Sequence, residues 1–381
     1  MSKKVISSVV ALVMMLSLVL AGCGGSQAPA AKTEGTSTDK APAASTNAKT
    51  DVKVGFIYVG PANDGGWSQA HDEGRKYLEE KLGVKTLYRE NVPEGPECEK
   101  AITDLIDQGC NVIFTTSYGF MDPTEKVAKQ YPNVKFFHCS GNKMAENMSN
   151  YFGKINEPRY LSGIVAGMKT KANKIGYVAA YETPEVISGI NAFTLGVQSV
   201  NPNAKVIVKW THTWIDAAKE KDAAIAALDE GCDVLAQHND SPAPQIAAEQ
   251  RGVWAIGYDI YNPQAAPKAY MTAPVFRWGP YYVEQVKAIM DGTWKASSYL
   301  GTMKDGVVDL GPLTSVAPEG AKEKVEAVKS KMLDGSFNVF SGPIKDQSGA
   351  VKVEAGKALT DQDVLSMMWF VQGVEGKIES K

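Results

Sequence analysis

Short loops in this chain pair large aromatic rings with carboxylates, amides and an imidazole. They are Gly60-Pro61-Ala62-Asn63-Asp64-Gly65-Gly66-Trp67, Ser117-Tyr118-Gly119-Phe120-Met121-Asp122, Trp210-Thr211-His212-Thr213-Trp214-Ile215-Asp216 and Gln237-His238-Asn239-Asp240-Ser241. Tyr258-Asp259 repeats the combination, and Arg277-Trp278 sets a guanidinium beside an indole. An indole offers a wide flat apolar face, while Asp and Asn offer directional hydrogen bonds. Trp67 and Trp214, facing each other across a cleft, would sandwich a planar ring whose edge is held by Asp and Asn, which is the equipment for a flat heteroaromatic ligand. The candidate binding set is Asn63, Asp64, Trp67, Ser117, Tyr118, Asp122, Trp214, His238, Asn239, Asp240, Asp259, Phe276 and Trp278. Other roles suit some of them equally: the two tryptophans can pack a helix's first turn, and Asp64 or Asp216 can cap one. His71 falls inside a helical stretch and reads as a surface or interlobe residue.

Catalytic patterns are missing from the same loops. Thr115-Thr116-Ser117-Tyr118-Gly119 lacks the first glycine of a nucleophile elbow. Gly60 to Trp67 has neither the Lys-Ser/Thr of a P-loop nor the glycine spacing of a dinucleotide site. The cysteines at 98, 110, 139 and 232 show no C-x-x-C and no zinc-like Cys/His spacing, so they read as buried thiols with a disulfide as the alternative. No metal, cofactor or enzymatic activity is expected.

These loops need a scaffold that brings them together. Strands are expected at residues 52–59, 84–89, 112–115, 135–138 and 150–152, alternating with helices near 66–81, 98–108 and 123–130. A helix near 158–171 leads to a second series, with strands at 174–180, 205–210, 234–237, 254–258 and 269–272 and helices near 185–200, 216–230 and 243–252. Strand–helix alternation implies parallel sheets with right-handed crossovers. The fold class is therefore α/β, with two doubly wound parallel-sheet lobes. The halves echo each other: Ile106-Asp107-Gln108-Gly109-Cys110-Asn111-Val112-Ile113 resembles Leu228-Asp229-Glu230-Gly231-Cys232-Asp233-Val234-Leu235, a helix end, a glycine and a buried strand in each. Lobe 1 is expected at 52–157 and lobe 2 at 158–278. A helix at 281–290 returns toward lobe 1, and the chain from 292 onward completes both lobes through a multi-crossover hinge. In open sheets of this kind, ligands bind beyond the carboxyl ends of the strands, where all the loops above fall.

The N-terminus carries an address. Lys3 and Lys4 precede an apolar run from Val5 to Leu20, which closes on Leu20-Ala21-Gly22-Cys23. Charged, apolar and small regions in that order make a secretory signal peptide. The last four residues resemble a bacterial lipobox, with residues 1–22 removed and Cys23 acylated. The run is short beside the roughly 20 residues a membrane-spanning helix needs. Residues 23–51 are rich in Ala, Pro, Ser, Thr, Gly and Lys and read as a flexible tether. The formal charge of −3, more negative once Lys3 and Lys4 leave, gives no basic patch for nucleic acid.

Lipobox, tether, lobes and strand-end loops together resemble the basic membrane protein (BMP) family of ABC-transporter substrate-binding lipoproteins, over about residues 52–376. The likeness is carried by Val54-Gly55-Phe56-Ile57-Tyr58, Gly153-Lys154-Ile155-Asn156-Glu157, Lys174-Ile175-Gly176-Tyr177-Val178, Gly231-Cys232-Asp233-Val234 and Ala255-Ile256-Gly257-Tyr258-Asp259. The resemblance implies a type I periplasmic-binding-protein fold and a purine nucleoside held between aromatics of the two lobes. It matches Trp67 and Trp214 to the stacking positions, Asn63 and Asp64 to base contacts, Asp259 to the ribose-binding aspartate and Asp122 to a further carboxylate. Phe276, followed by Arg277 and Trp278, stands where the family has its ribose-binding lysine, so a free nucleobase such as adenine is the expected ligand. The implied partners are that purine, ABC permease subunits and, through Cys23, the outer face of a bacterial membrane, with the protein a monomer. A lipid-anchored sensor for a signalling receptor and a nucleoside-acting surface hydrolase are the alternatives.

Overall fold

The computed structural model describes residues 51–379. The signal segment, Cys23 and the tether up to residue 50 lie outside the described residues. Chain order is β1 (Lys53–Ile57), α1 (Trp67–Leu82), β2 (Lys85–Arg89), α2 (Pro96–Asp107), β3 (Val112–Thr115), α3 (Met121–Gln130), β4 (Lys135–Cys139), β5 (Met148–Gly153), α4 (Asn156–Lys169), β6 (Lys174–Ala179), α5 (Pro184–Val200), β7 (Lys205–Trp210), α6 (Ala217–Asp229), β8 (Val234–His238), α7 (Ala243–Gln250) and β9 (Trp254–Ile256). It continues through β10 (Tyr270–Thr272), β11 (Pro274–Phe276), α8 (Gly279–Met290), β12 (Ser298–Gly301), β13 (Val308–Leu310), α9 (Ala321–Leu333), β14 (Ile344–Lys345), β15 (Val351–Val353), α10 (Asp361–Leu365) and β16 (Val374–Glu375).

Two six-stranded sheets form, in the orders β12-β5-β4-β3-β1-β2 and β10-β9-β8-β6-β7-β16. Their pairings are all parallel. Parallel strands buried on both faces should be uninterrupted apolar runs. The run Val112–Thr115 is such a segment, buried at all four positions. Each sheet reverses its strand order once, between β1 and β3 in the first and between β6 and β8 in the second. Those are the places where an open parallel sheet leaves a crevice at its carboxyl edge. The outer strand β12 of the first sheet and the outer strand β16 of the second both come from the C-terminal quarter of the chain.

Beyond residue 292 the elements other than α9 are short, and the regular strand–helix alternation stops. Strands β11 and β13 form an antiparallel pair, as do β14 and β15. Two- and three-residue strands are too short to show a two-residue hydrophobic period, which is why they carry no sequence signal.

Helices α4 and α5 lie against each other with their backbones nearly touching. A Cβ on Gly163 would sit 2.1 Å from the carbonyl oxygen of Phe193, and one on Gly196 would sit 2.0 Å from that of Tyr160. Helix α8 packs on α1 and closes an aromatic core under the first sheet. There Phe114 stacks on Phe56 at 5.0 Å and on Phe137 at 4.5 Å, and Tyr151 stacks on Tyr281 at 4.7 Å.

His71 corrects the surface expectation. It is fully buried on α1, with its Nδ1 against the Tyr282 hydroxyl and its ring stacked 4.9 Å from that of Trp278. Burial pushes its pKa well below the ordinary imidazole value, so it is a neutral core residue. The thiols of Cys98, Cys110, Cys139 and Cys232 are free and buried.

Candidate functional site

Eight of the twelve strands in the two sheets deliver a residue to one cavity at the carboxyl edges. Val59 follows β1, Trp67 opens α1, Ser117 and Tyr118 follow β3, Ser140 follows β4, and Phe152 ends β5. From the other side come Glu185 after β6, Trp214 after β7, His238 and Asp240 at and after β8, and Tyr258 and Asp259 after β9. The cavity holds about 380 Å³ of empty space including its mouth.

The two indoles are held differently. Trp67 donates its Nε1–H to the Thr116 carbonyl and is braced edge-on by Phe276 at 5.2 Å and Trp278 at 5.8 Å. Phe276 and Trp278 themselves stack at 4.7 Å. Trp67 is thus a fixed wall, set by a second layer of rings. Trp214 sits on the β7–α6 loop, edge-on to Tyr181 at 5.0 Å, and its Nε1–H reaches Glu94 Oε1 in the first lobe at 3.2 Å. Glu94 also accepts from the Gly119 N–H at 2.9 Å and from the Ser117 hydroxyl.

Two more contacts close the cleft. The Ser140 hydroxyl donates to Glu185 Oε2. Gly66 packs so tightly on the Asp240 backbone that a Cβ there would lie 2.3 Å from its carbonyl oxygen.

The polar lining is rich in acceptors. Asp259 Oδ1 and Oδ2, Asp240 Oδ2 and His238 Nδ1 are buried and have no hydrogen-bond partner among the described residues. Buried groups of this kind are costly unless something satisfies them. Desolvation raises the pKa of Asp259 well above the usual carboxylate value, against a lowering influence from Arg159. Burial, then the nearby Asp64, Asp259 and Glu220 charges, raises that of Asp240. Burial brings Glu185 up to about 7, opposed by the Ser140 hydrogen bond. His238 is pushed well below its ordinary value by burial and by Arg159. Arg159 is itself fully buried beneath the site, its guanidinium 3.6 Å over the Tyr258 ring and its Nη1 donating to the Gln237 carbonyl at 2.7 Å.

Of the residues singled out from sequence, Trp67, Ser117, Tyr118, Trp214, His238, Asp240 and Asp259 line this cavity. The others stand elsewhere. Asp64 caps α1, accepting from the N–H groups of Gly66 at 2.8 Å, Ser68 at 2.8 Å and Gln69 at 3.0 Å. Asn63 beside it is exposed. Asp122 points outward in an ion pair with Lys143 at 2.8 Å. Asn239 is spent on loop structure, donating to Thr211 Oγ1 at 3.0 Å and to the Thr213 carbonyl at 2.8 Å, which fixes the turn that carries Trp214. Phe276 and Trp278 form the layer behind Trp67 rather than the wall itself.

Sequence reading passed over Val59, Ser140, Phe152, Glu185 and Glu94. The rule that ligands gather beyond strand ends points to Ser140 and Phe152 once it is applied to β4 and β5. Glu94 belongs to the β2–α2 loop and had no signal.

The comparisons with known proteins agree with this geometry. Residues 51–337 match the family model Bmp, described as ABC transporter substrate-binding protein PnrA-like. A purine-binding protein of Brucella abortus (strain 2308) is 44% identical over 334 residues, covering 87% of this chain and 95% of that protein. A putative ABC transporter glucose-binding protein of Haloferax volcanii is 37% identical over 331 residues, covering 86% and 82%. The crystal structure of an ABC transporter system solute-binding protein from Aeropyrum pernix K1 shares the fold with a TM-score of 0.66 at 20% identity, over 77% of this chain and 94% of that one. The architecture is the type I periplasmic-binding-protein fold, and the family consists of solute-binding proteins, not enzymes. Two parallel sheets meeting at their carboxyl edges around an aromatic, acceptor-lined cavity, together with these matches, establish that the chain belongs to the Bmp family of PnrA-like ABC-transporter substrate-binding proteins.

Proposed function

We propose that this protein captures a purine, a nucleobase such as adenine in preference to a nucleoside, and delivers it to the permease of an ABC importer while a lipid on Cys23 holds it at the outer face of the membrane. The reading is carried by Trp67 and Trp214, from opposite lobes, lining one small cavity beside unpartnered buried acceptors. A purine base fits both features: it presents two flat faces to the indoles, and its amino and ring N–H groups donate to Asp240, Asp259 and His238. Support for a base over a nucleoside comes from the lining, which includes no lysine to reach a ribose: Phe276, at the position of the family's ribose-binding lysine, stands behind Trp67. The name of the Brucella abortus relative supports the purine class.

Binding would begin on one lobe with the cleft open. Closure then adds the opposite indole, brings Trp214 to Glu94 and Ser140 to Glu185, and excludes water. The ligand favours the closed form through its contacts with both lobes. The permease would recognise that closed form.

The name of the Haloferax volcanii relative favours a second ligand class, a sugar, whose hydroxyl donors would also suit Asp240 and Asp259. Mass spectrometry of the small molecule that copurifies, followed by calorimetry with adenine, adenosine and glucose, separates these. Adenine should bind most tightly. Adenosine binding tenfold tighter than adenine would overturn the nucleobase preference, and glucose binding in place of any purine would overturn the ligand class.

A further inference from the structure

A second cluster of metal-competent donors lies outside the ligand cavity, at the same edge of the second sheet. Strands β6, β7 and β16 are neighbours there and run parallel. Each delivers one residue just past its carboxyl end: Glu182 after β6, His212 after β7 and Glu379 after β16. One ligand atom from each lies within 4.8 Å of the other two. Glu182 Oε2 stands 3.6 Å from His212 Nδ1.

The Glu182 carboxylate is the informative member. Its side chain is only 9% exposed, and its Oε1 has no hydrogen-bond partner among the described residues. A buried carboxylate oxygen left without a partner in this way is costly, and a bound cation would satisfy it. Glu182 and Glu379 line an outer chamber next to the ligand cavity, and Trp214 is common to both spaces.

His212 stands apart from the other imidazoles. The chain has four histidines, and His71, His138 and His238 are buried. The His212 side chain is 51% exposed and faces Glu182.

We propose that Glu182, His212 and Glu379 form a binding site for a divalent first-row transition cation, with Zn2+ as its representative. One imidazole nitrogen and two carboxylates are donors suited to such ions. Ligand atoms about 2.0–2.2 Å from a common zinc ion lie roughly 3–4 Å from one another. The Glu182–His212 spacing already meets this, and the exposed Glu379 side chain completes the set by a small rotation. The bound ion fastens the residues after β16 to the ends of β6 and β7, beside the loop that carries Trp214. None of the three residues lines the ligand cavity.

The test is a Zn2+ titration of the full chain, purified without a histidine tag, by calorimetry in a non-chelating buffer, with thermal unfolding read in parallel. One ion should bind per chain and raise Tm, and H212A and E379Q should each weaken binding at least tenfold and remove the Tm increase. Glu379 is exposed, so E379Q leaves the fold intact. Absence of Zn2+ binding up to millimolar concentration overturns the proposal. So does binding unchanged in both variants, or lost in H212A and unchanged in E379Q.

Discussion

Gly66 offers a perturbation that acts on closure of the cleft. In the closed structure a Cβ at this position would meet three backbone atoms of Asp240, the carbonyl oxygen at 2.3 Å, Cα at 2.8 Å and the carbonyl carbon at 2.9 Å. Backbone atoms cannot swing aside as a flexible side-chain end can, so Gly66→Ala must either hold the lobes apart or displace the loop after β8. Forcing one extra carbon into a packed contact costs about 1–3 kcal/mol. In the proposed open, ligand-free form the clash is absent, so the cost falls on the closed, liganded state. Affinity should therefore drop by about 5- to 150-fold. The assay is calorimetry with the copurifying ligand, paired with small-angle scattering with and without ligand and with the Tm of the ligand-free protein. The variant should keep the ligand-free Tm and lose the ligand-induced contraction. Wild-type affinity together with wild-type contraction would refute the argument that Gly66 and Asp240 must touch for the cleft to close.

Four further substitutions test the site. Trp214→Ala should weaken purine binding by at least about 1 kcal/mol, the loss of one stacking face, and Trp67→Ala should do the same with an added loss of stability because its ring braces Phe276 and Trp278; affinity unchanged in both, read by calorimetry, contradicts the sandwich. Asp259 sits at φ +64, a left-handed conformation that Asn adopts about as readily as Asp, so Asp259→Asn should fold normally and bind purine at least tenfold more weakly. Because burial raises the Asp259 pKa in the folded chain, the carboxyl group costs stability as pH rises above its unfolded value, and the variant should gain Tm at pH 8; a lower Tm or intact binding contradicts the assignment. Glu185 titrates near 7 in the folded chain against an ordinary 4.5, so the native state holds this proton more tightly than the unfolded state. Its stabilising contribution is complete below about pH 4.5 and is lost as pH rises toward 7, with no further slope above. Glu185→Gln should flatten that part of the stability–pH curve in the ligand-free protein, and an identical slope in wild type and variant would exclude Glu185 as its source.

Much of the scaffold could be read from the chain because its information is local. Strands such as Val112–Thr115 are continuous apolar runs, and glycines at 109 and 231 end the preceding helices in positive φ. Parallel sheets then dictate where ligands sit, so Trp67, Trp214, Asp240 and Asp259 could be named from position alone.

The roles of Asp64, Asp122 and Asn239 were not legible, because a polar residue after a strand has the same local signature whether it caps a helix, pairs with a lysine or faces a ligand. His71 shows the same limit: its helical position suggested a surface or interlobe residue, and only the arrival of Trp278 and Tyr282 from two hundred residues away made it core. The metal-competent trio is the extreme case. Glu182, His212 and Glu379 have no motif between them, and what brings them together is the hydrogen-bonded order of β6, β7 and β16. Local sequence determined the elements and the edge at which binding must occur; which side chains are spent on structure and which remain free for a ligand was decided by long-range packing, since a side chain's hydrogen-bond partners come from segments that meet only in the folded chain.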